Sequence, residues 1–429
     1  MTDPALRLAA SDILERNWRG RHTVPAGGLY PHQWSWDSAF IAFGLRHLSP
    51  RRAQQELESL FAAQWQDGRL PQIVFSTGLD DDAYFPGPRF WRSGDLPEAP
   101  AVPTAGLIQP PNHAWAVWAV HRSDPRESRR TGFLERTYPV LRRWHEYLRT
   151  RRDRGRSGLL AAVHPWETGM DNSPAWDLPL SRVPRHDLEL TRPDLRHADA
   201  SERPTNAEYG RYVYLADRYR REGCDDADAD FPFLVEDVGM NALWCLSERS
   251  LAEIASEIGA DPYPHHRRAA AIGDALHGLF DAEAGMYLAR DIRTGEHLAP
   301  RSVAGLLPLL LPGLPTAERL LTTLRGPGFG LGETVMVPSY DLTQPDADPA
   351  AYWRGPAWFN TTWMLMRSLR GLGAYAEADV LRQTMSRLAL THAFPEYVDP
   401  WTGSPHGTRL FSWTAALVLD AETDPEDTP

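Results

Sequence analysis

The sequence predicts an all-helical fold, an (α/α)6 toroid, and three observations carry that expectation. Apolar residues recur at three- and four-residue spacing from end to end, the period of helices with one buried face. About twelve such stretches follow one another, with few strand-like runs between them and no interior linker rich in Gly and Ser. The loops joining them differ sharply in length. Short loops would link helices on one side of a ring, and long loops would gather at the other mouth, where binding residues concentrate. A helical solenoid would show a self-similar repeat of roughly 30–50 residues, and none is visible.

Taken in order, Ser11-Asp12 is expected to cap a first helix through Trp18. Residues 39–48 read as a buried helix, apolar on most faces. Ser49 as N-cap and Pro50 at the first helical position start another, with Leu57, Leu60, Phe61 and Trp65 inward. Residues 68–87 have no period and include Asp80-Asp81-Asp82. Pro110-Pro111 opens a helix through Trp115, Trp118 and Val120. Phe133, Leu134, Val140, Leu141, Trp144 and Leu148 mark a longer one. Residues 172–199 are irregular, and a loop of that length inside a compact protein is functional or disordered. Helices resume at 205–220, 233–258 and 266–279, then a small hairpin at 287–297 about Arg293-Thr294-Gly295. Helices at 316–324, 356–372, 375–390 and 411–419 complete the chain. The expected organisation is one catalytic domain over 1–429, its toroid running from about 10 to about 420, with loop insertions near 68–100 and 172–200.

Composition narrows the function. The chain has 429 residues, 42% hydrophobic and 24% charged, which is globular. A formal charge of −12 argues against nucleic acid or an anionic membrane as partner, because both require clustered Lys and Arg. Pairs such as Arg142-Arg143 and Arg151-Arg152 read as solvated helix faces. Two cysteines, Cys224 and Cys245, make no disulfide framework and suit a reducing cytoplasm. The N-terminus shows no secretion signal, and the most apolar run, 304–311, is too short to span a bilayer and is cut by Pro308. A cytoplasmic protein is expected, with its oligomeric state left open.

Three stretches break the aliphatic pattern: Tyr30-Pro-His-Gln-Trp-Ser-Trp-Asp-Ser38, His164-Pro-Trp-Glu-Thr-Gly-Met-Asp171 and Phe394-Pro-Glu-Tyr-Val-Asp-Pro-Trp401. Each crowds aromatic rings and carboxylates together with Pro or Gly, so each belongs on a loop. Rings that stack on a pyranose, beside acids that hold hydroxyls and move protons, are the makings of a sugar site. The bland alternative, aromatic and acidic loop anchors, serves for one stretch and poorly for three. Spacing leaves Asp37, Glu167, Asp171, Asp177, Glu396 and Asp399 all open as acid or base. Tyr352-Trp-Arg-Gly-Pro-Ala-Trp358 suggests a pocket wall with a stacking ring and a cation.

Other chemistries find little support. Pro165 spoils a helical His164/Glu167 zinc pair. Asp226, Asp228, Asp230 and Asp237 imitate a calcium loop, but Phe231 stands where its turn needs Gly, so a solvated acidic turn is expected. There is no Gly-x-Ser-x-Gly elbow, no Gly-x-Gly-x-x-Gly after a strand and no Walker loop. No metal and no cofactor are expected.

Gln33-Trp-Ser-Trp-Asp37, Glu167-Thr-Gly-Met-Asp171, Tyr352-Trp-Arg-Gly-Pro356 and Phe394-Pro-Glu396 together resemble glycoside hydrolase family 63, in order from about residue 10 to about 420. The chain looks nearest to the family's bacterial mannosylglycerate and glucosylglycerate hydrolases. That resemblance ranks the carboxylates: Asp171 matches the general acid, and Glu396 the base that activates water with inversion. Tyr30, Trp36 and Asp37 match residues that hold the sugar. Tyr352, Trp353, Gly355 and Trp358 match the opposite wall, and Trp166 adds a ring beside the acid. Arg203 and Tyr209 match contacts to a glycerate carboxylate, with Tyr84 and Gln109 as further contacts. Gln72 stands where a His is expected and Leu410 where a Gln is expected, which bears on the glycerate contacts and leaves the catalytic pair intact. An inverting acid needs a dry setting that keeps it protonated, a wetter ionised base, and roughly 6.5–9.5 Å between them for the water. The implied activity is hydrolysis of a small α-glycoside, glucosylglycerate or mannosylglycerate, to sugar and glycerate. The rivals are an α-glucosidase acting on a disaccharide or small oligosaccharide, a sugar-binding protein without catalysis, and a toroid epimerase. The last would need pocket histidines.

Overall fold

Six buried segments form a closed inner ring: Ser35–Leu45, His113–Ser123, Val238–Glu257, the 3-10 segment Val303–Leu310, Phe359–Gly371 and Ser412–Thr423. Each packs on the next, and the last packs back on the first. Around them lie Pro4–Arg16, Pro50–Phe61, Phe133–Arg151, Tyr263–His277, Ala317–Arg325 and Tyr375–Thr391. This is the (α/α)6 toroid. The structure, a computed structural model, describes residues 3–80, 83–186, 192–196 and 198–423. Asp81 and Asp82 lie outside the described residues, as do 187–191 and 197 of the irregular 172–199 stretch.

The side chains sort the two rings. Every residue of Ser35–Leu45 is buried, and all but the last of Phe359–Gly371. A helix walled in on all sides must be apolar or internally paired all round. By contrast, Tyr263–His277 buries only His265, Ala269, Ile272 and Leu276, a single stripe at helical spacing. Ser49 caps the Pro50–Phe61 helix as expected, accepting the Arg52 N–H at 3.3 Å.

Several elements depart from expectation. The first helix begins at Pro4, capped by Asp3, so Ser11 and Asp12 sit inside it. Asp3-Pro4 carries the same cap-then-proline signal as Ser49-Pro50, eight residues before Ser11. The apolar 304–311 run proves to be an inner-ring element, held as a 3-10 segment around Pro308. The 287–297 hairpin is narrower, with Arg290 bridging His297, while Met286–Tyr287 pairs with Phe280–Asp281 instead. Arg152 is fully buried and Asp226 nearly so, contrary to their solvated reading. Asp226 accepts the Tyr147 and Tyr219 hydroxyls at 2.5 and 2.7 Å and faces Arg152 and Arg69. Asp237 caps Val238–Glu257 by accepting the Met240 N–H at 2.7 Å. No helix among the described residues is long and apolar enough to cross a membrane.

At the end of the ring away from the aromatic stretches, Asp420 ties three inner helices together. Its carboxylate accepts Arg46 Nη2 at 2.9 Å, His47 Nε2 at 2.8 Å and Trp363 Nε1 at 3.1 Å, with Arg367 Nη1 at 3.5 Å. Burial alone would push this carboxyl up, but Arg46, His47 and Arg367 outweigh it and hold it well below the usual range. We expect Asp420→Ala to cost about 3–5 kcal/mol, read as a fall in the denaturation midpoint, because it strips buried cations of the carboxylate they share. With its folded pKa depressed, Asp420 contributes fully above the unfolded value of about 3.9, and the contribution is lost only as pH falls below that. A variant as stable as wild type at neutral pH would refute the account.

Candidate active site

The N-terminal ends of four inner helices open on one cavity. Asp37, Gln109, Trp358 and Trp413 all line it, and each lies in or just before the first turn of its helix. Their aligned N–H dipoles bring partial positive charge to this mouth, a setting suited to acidic side chains.

Glu396 enters from a three-stranded sheet in which Tyr397–Val398 pairs with both Ala357–Trp358 and Pro405–His406. Ala393 and Phe394, with φ of 55° and 53°, turn the chain into it. Its carboxylate is 1% exposed and has two donors, the Tyr30 hydroxyl at 2.9 Å on Oε1 and the Thr408 N–H at 3.1 Å on Oε2. Burial raises its pKa, while Arg203 and the two donors pull it back. Trp353 stacks flat on Trp358 at 3.9 Å, and Trp358 Nε1 donates to the Tyr352 carbonyl at 2.9 Å.

Asp171 is set by the turn before it. The 3-10 turn Pro165–Thr168 ends at Gly169, whose φ is 72°. A Cβ there would lie 2.5 Å from the Trp36 ring, so the glycine serves both its left-handed backbone and this contact. Tyr212 donates to the Asp171 carbonyl at 2.9 Å and Trp176 Nε1 to the Met170 carbonyl at 2.7 Å. Among the described residues nothing donates a side-chain hydrogen bond to the Asp171 carboxyl, which is partly exposed onto the cavity. Burial, offset by Arg203 and reinforced by Glu396, pushes it up to about 7. Asp37 is raised well above its usual value, first by burial and then by Glu396, Glu56 and Asp171. Three carboxyls therefore share one desolvated space, and the exposures reverse the expected dry acid and wetter base: Glu396 is buried, while Asp171 is partly exposed onto the cavity.

The other three candidates are occupied elsewhere. Glu167 is buried in a two-oxygen pair with Arg152, at 2.8 and 2.6 Å, and accepts the Ile108 and Val163 N–H groups. Asp177 pairs with Arg354 at 3.0 Å and is 47% exposed, so the cation of the Tyr352 stretch serves the rim. Asp399 caps a turn, accepting the Trp401 and Thr402 N–H groups at 2.8 Å each.

Of the expected site residues, Tyr30, Trp36, Asp37, Gln72, Tyr84, Gln109, Trp166, Asp171, Arg203, Tyr209, Tyr352, Trp353, Trp358 and Glu396 all line the cavity. Gly355 does not. Its N–H donates to Ser339 Oγ at 3.2 Å, and a Cβ would press on the Asp348 carbonyl at 2.5 Å, so it packs the wall from behind. Leu410 also stays out, its carbonyl accepting Asn17 Nδ2. Arg203 forms no pair with Glu202 or Asp199. Its guanidinium lies 4.1 Å over the Tyr352 ring, donates to Tyr30 Oη at 3.3 Å and approaches Asp194 at 3.5 Å. Gln109 fixes the turn at Trp36 by accepting its N–H at 3.1 Å. Trp34, Asp194, Tyr212, Phe411 and Trp413 line the cavity as well. Trp34 lies within the first aromatic stretch, whereas Trp413 lies twelve residues beyond the third and no pattern singles out Tyr212 or Asp194.

The mannosylglycerate hydrolase MGH1-like glycoside hydrolase domain matches residues 30–414. The chain belongs to this family. It is 42% identical to a mannosylglycerate hydrolase of Rubrobacter radiotolerans over 96% of this chain and 95% of that one. A glucosylglycerate hydrolase of Mycolicibacterium hassiacum is 38% identical over 98% of each. The solved GH63 mannosylglycerate hydrolase of Thermus thermophilus, in complex with Tris, superposes with a TM-score of 0.90 at 41% identity, over 97% of this chain and 99% of that one. The protein is thus a glycoside hydrolase of family 63, and its fold and cavity are those of an enzyme.

For this hydrolase we expect Gly169→Ala to cost about 1–3 kcal/mol in thermal unfolding, since a non-glycine residue is forced into the left-handed region. It should also lower kcat/KM, because either Trp36 or the Asp171 turn must yield. Wild-type stability and activity together would show that the contact is slack.

Proposed function

We propose that this hydrolase cleaves α-glucosylglycerate or α-mannosylglycerate to the free sugar and glycerate with inversion. The observation that carries the reading is a pair of carboxyls in one cavity, both raised by desolvation, whose side-chain and backbone donors differ. Asp171, without a side-chain donor and raised to about 7, is suited to deliver a proton to the glycosidic oxygen as that bond breaks. Glu396, held by Tyr30 and the Thr408 N–H, is suited to remain ionised and take a proton from the water that attacks the anomeric carbon. The proton lost by Asp171 and the one gained by Glu396 balance, and exchange through solvent restores both.

In this reading Asp37, Tyr30 and Trp36 hold the sugar. Trp166, Tyr352, Trp353 and Trp358 present rings to its apolar face, and Gln72, Tyr84 and Gln109 add polar contacts. The aglycone carboxylate goes to Arg203, whose guanidinium fork suits it, beside Tyr209. The names of the relatives support the same substrate class. The whole toroid acts as one catalytic domain, and the free, buried Cys224 and Cys245 support a cytoplasmic setting.

The deciding experiment is a hydrolysis screen of the two glycerate glycosides against trehalose, kojibiose, nigerose and maltose. Preference for a neutral disaccharide would refute the glycerate assignment. Proton NMR should find β-sugar released first, and α-sugar would refute inversion. Asp171→Asn and Glu396→Gln should each lower kcat by about 10²–10⁴-fold with the fold intact; near-wild-type turnover in either removes that residue from its role.

The pH profile gives an independent check. The acid form of Asp171 predominates below its pKa, so kcat/KM should fall as pH rises through about 7. The base must be ionised, so a second limb should fall toward acid as Glu396 protonates. An alkaline limb unchanged in Asp171→Asn residual activity would assign it to another group.

A further inference from the structure

Glu202 and Arg203 are adjacent, opposite in charge, and reach the Glu396 carboxylate from two directions. Arg203 comes through the cavity, donating to Tyr30 Oη, which donates onward to Glu396. Glu202 works from behind. Its Oε1 lies 2.7 Å from His406 Nδ1, and its Oε2 accepts the Gly407 N–H at 2.9 Å from 205 positions away in sequence. The next N–H along, Thr408, is the donor to Glu396 Oε2, and the Glu396 N–H returns to the Thr408 carbonyl at 2.9 Å.

There is no slack in this turn. Gly407 has a φ of 63°, and a Cβ on it would stand 2.5 Å from Glu396 Oε2. Arg409 braces the turn from its carbonyl side, donating to the Pro405, His406 and Gly407 carbonyls. Glu202 holds the N–H side from a separate segment. The side chains of Glu202 and His406 are only 16% and 18% exposed. That shielding sets them apart from the solvated surface pairs that contribute almost nothing.

We propose that Glu202 is a positioning residue for the catalytic base. It fixes the 405–409 turn so that the Thr408 N–H and the Gly407 backbone aim the Glu396 carboxylate, and it does so from the segment that presents Arg203. This rests on the reading of Glu396 as base given above. A base acts only with its oxygen in hydrogen-bond reach of the water, and a misplacement of about 1 Å costs about 10²-fold. One short segment then sets both the reception of the aglycone and the aim of the base.

The test compares wild type, Glu202→Ala and Glu202→Gln on α-glucosylglycerate and on an uncharged aryl α-glucoside. Glu202→Ala should lower kcat about 10–100-fold on both substrates, with KM changed by less than about threefold. Glu202→Gln, whose amide oxygen can still accept the Gly407 N–H, should recover most of that loss. It also keeps the test decisive if the alanine variant fails to fold in a thermal melt. A rise in KM confined to glucosylglycerate, with kcat kept, would assign Glu202 to Arg203 and overturn the proposal, as would unchanged kinetics. Crystal structures of wild type and Glu202→Gln or Glu202→Ala give a readout independent of substrate. The Thr408–Glu396 bond should lengthen or the carboxylate turn in the alanine variant and hold in the glutamine variant. An unmoved carboxylate in the alanine variant overturns the proposal. A wild type that hydrolyses neither of these substrates nor α-mannosylglycerate would sink the proposed function, and the crystallographic comparison would still decide the positioning claim.

Discussion

The inner ring closes where Gly44 of the first buried helix meets Ala416 of the last, so tightly that a Cβ on Gly44 would stand 2.3 Å from the Ala416 Cα. The mouth depends on that closure. It brings residues from the two ends of the chain face to face: Tyr30 reaches Glu396, Asn17 reaches Ser412, and the Ser412 N–H donates to the Pro25 carbonyl at 2.8 Å. At the far end Asp420 bonds the same two helices through Arg46. A ring pinned at both ends of one seam allows little sliding. The carboxyls contributed by the first and last thirds of the chain are therefore held in register by packing, before any hydrogen bond between them is counted.

Within that fixed mouth, electrostatics decides which carboxyl can do what. Asp37, Asp171 and Glu396 all face desolvation, and Asp37 and Asp171 each feel at least one of the others. Desolvation disfavours every ionised form, so the difference must come from donors. Glu396 has a phenol, a backbone N–H and the field of Arg203. Asp171 has the field of Arg203 but no side-chain donor among the described residues. Both groups are raised by burial, and the two donors on Glu396 work against that rise, the direction the proposed base requires beside the proposed acid. The four helix N-termini moderate the total cost of keeping negative charge here without selecting among the carboxyls.

Much of this is legible in the sequence because the cavity is made of residue types a core avoids. Trp-Ser-Trp-Asp, Glu-Thr-Gly-Met-Asp and Phe-Pro-Glu stand out as aromatic and acidic islands on loops, and the structure gathers all three. What stays hidden depends on partners distant in the chain. Glu167 looks as exposed to chemistry as Asp171 until Arg152 takes both its oxygens. Arg152 itself reads as half of a solvated pair, since nothing local shows the carboxylates that bury it. The Val303–Leu310 element has the composition of a core and the wrong period for an α-helix, because Pro308 forces a tighter turn. Tyr212 belongs to a long amphipathic helix, Asn206–Arg221, and its hydroxyl reaches Asp171 only once the ring is assembled.

Backbone strain follows the same geography. Of the seven non-glycine residues with positive φ among the described residues, four, Tyr352, Ala393, Phe394 and Leu410, border the Glu396 side of the mouth, while Arg92, Arg156 and Cys224 lie elsewhere. Each such residue costs on the order of 1–3 kcal/mol and persists only where its surroundings over-determine it. Here the surroundings are specific: Trp358 Nε1 holds the Tyr352 carbonyl, the Leu410 N–H donates to the Ala393 carbonyl, and the Phe411 N–H donates to the Phe394 carbonyl. The strained residues thus brace one another across the turn that leads into the last inner helix. The energy that holds them there comes from closing the ring. The placement of Glu396 and the stability of the fold are consequently supplied by the same seam, and a change that loosens Gly44 against Ala416 should reach Glu396 through it.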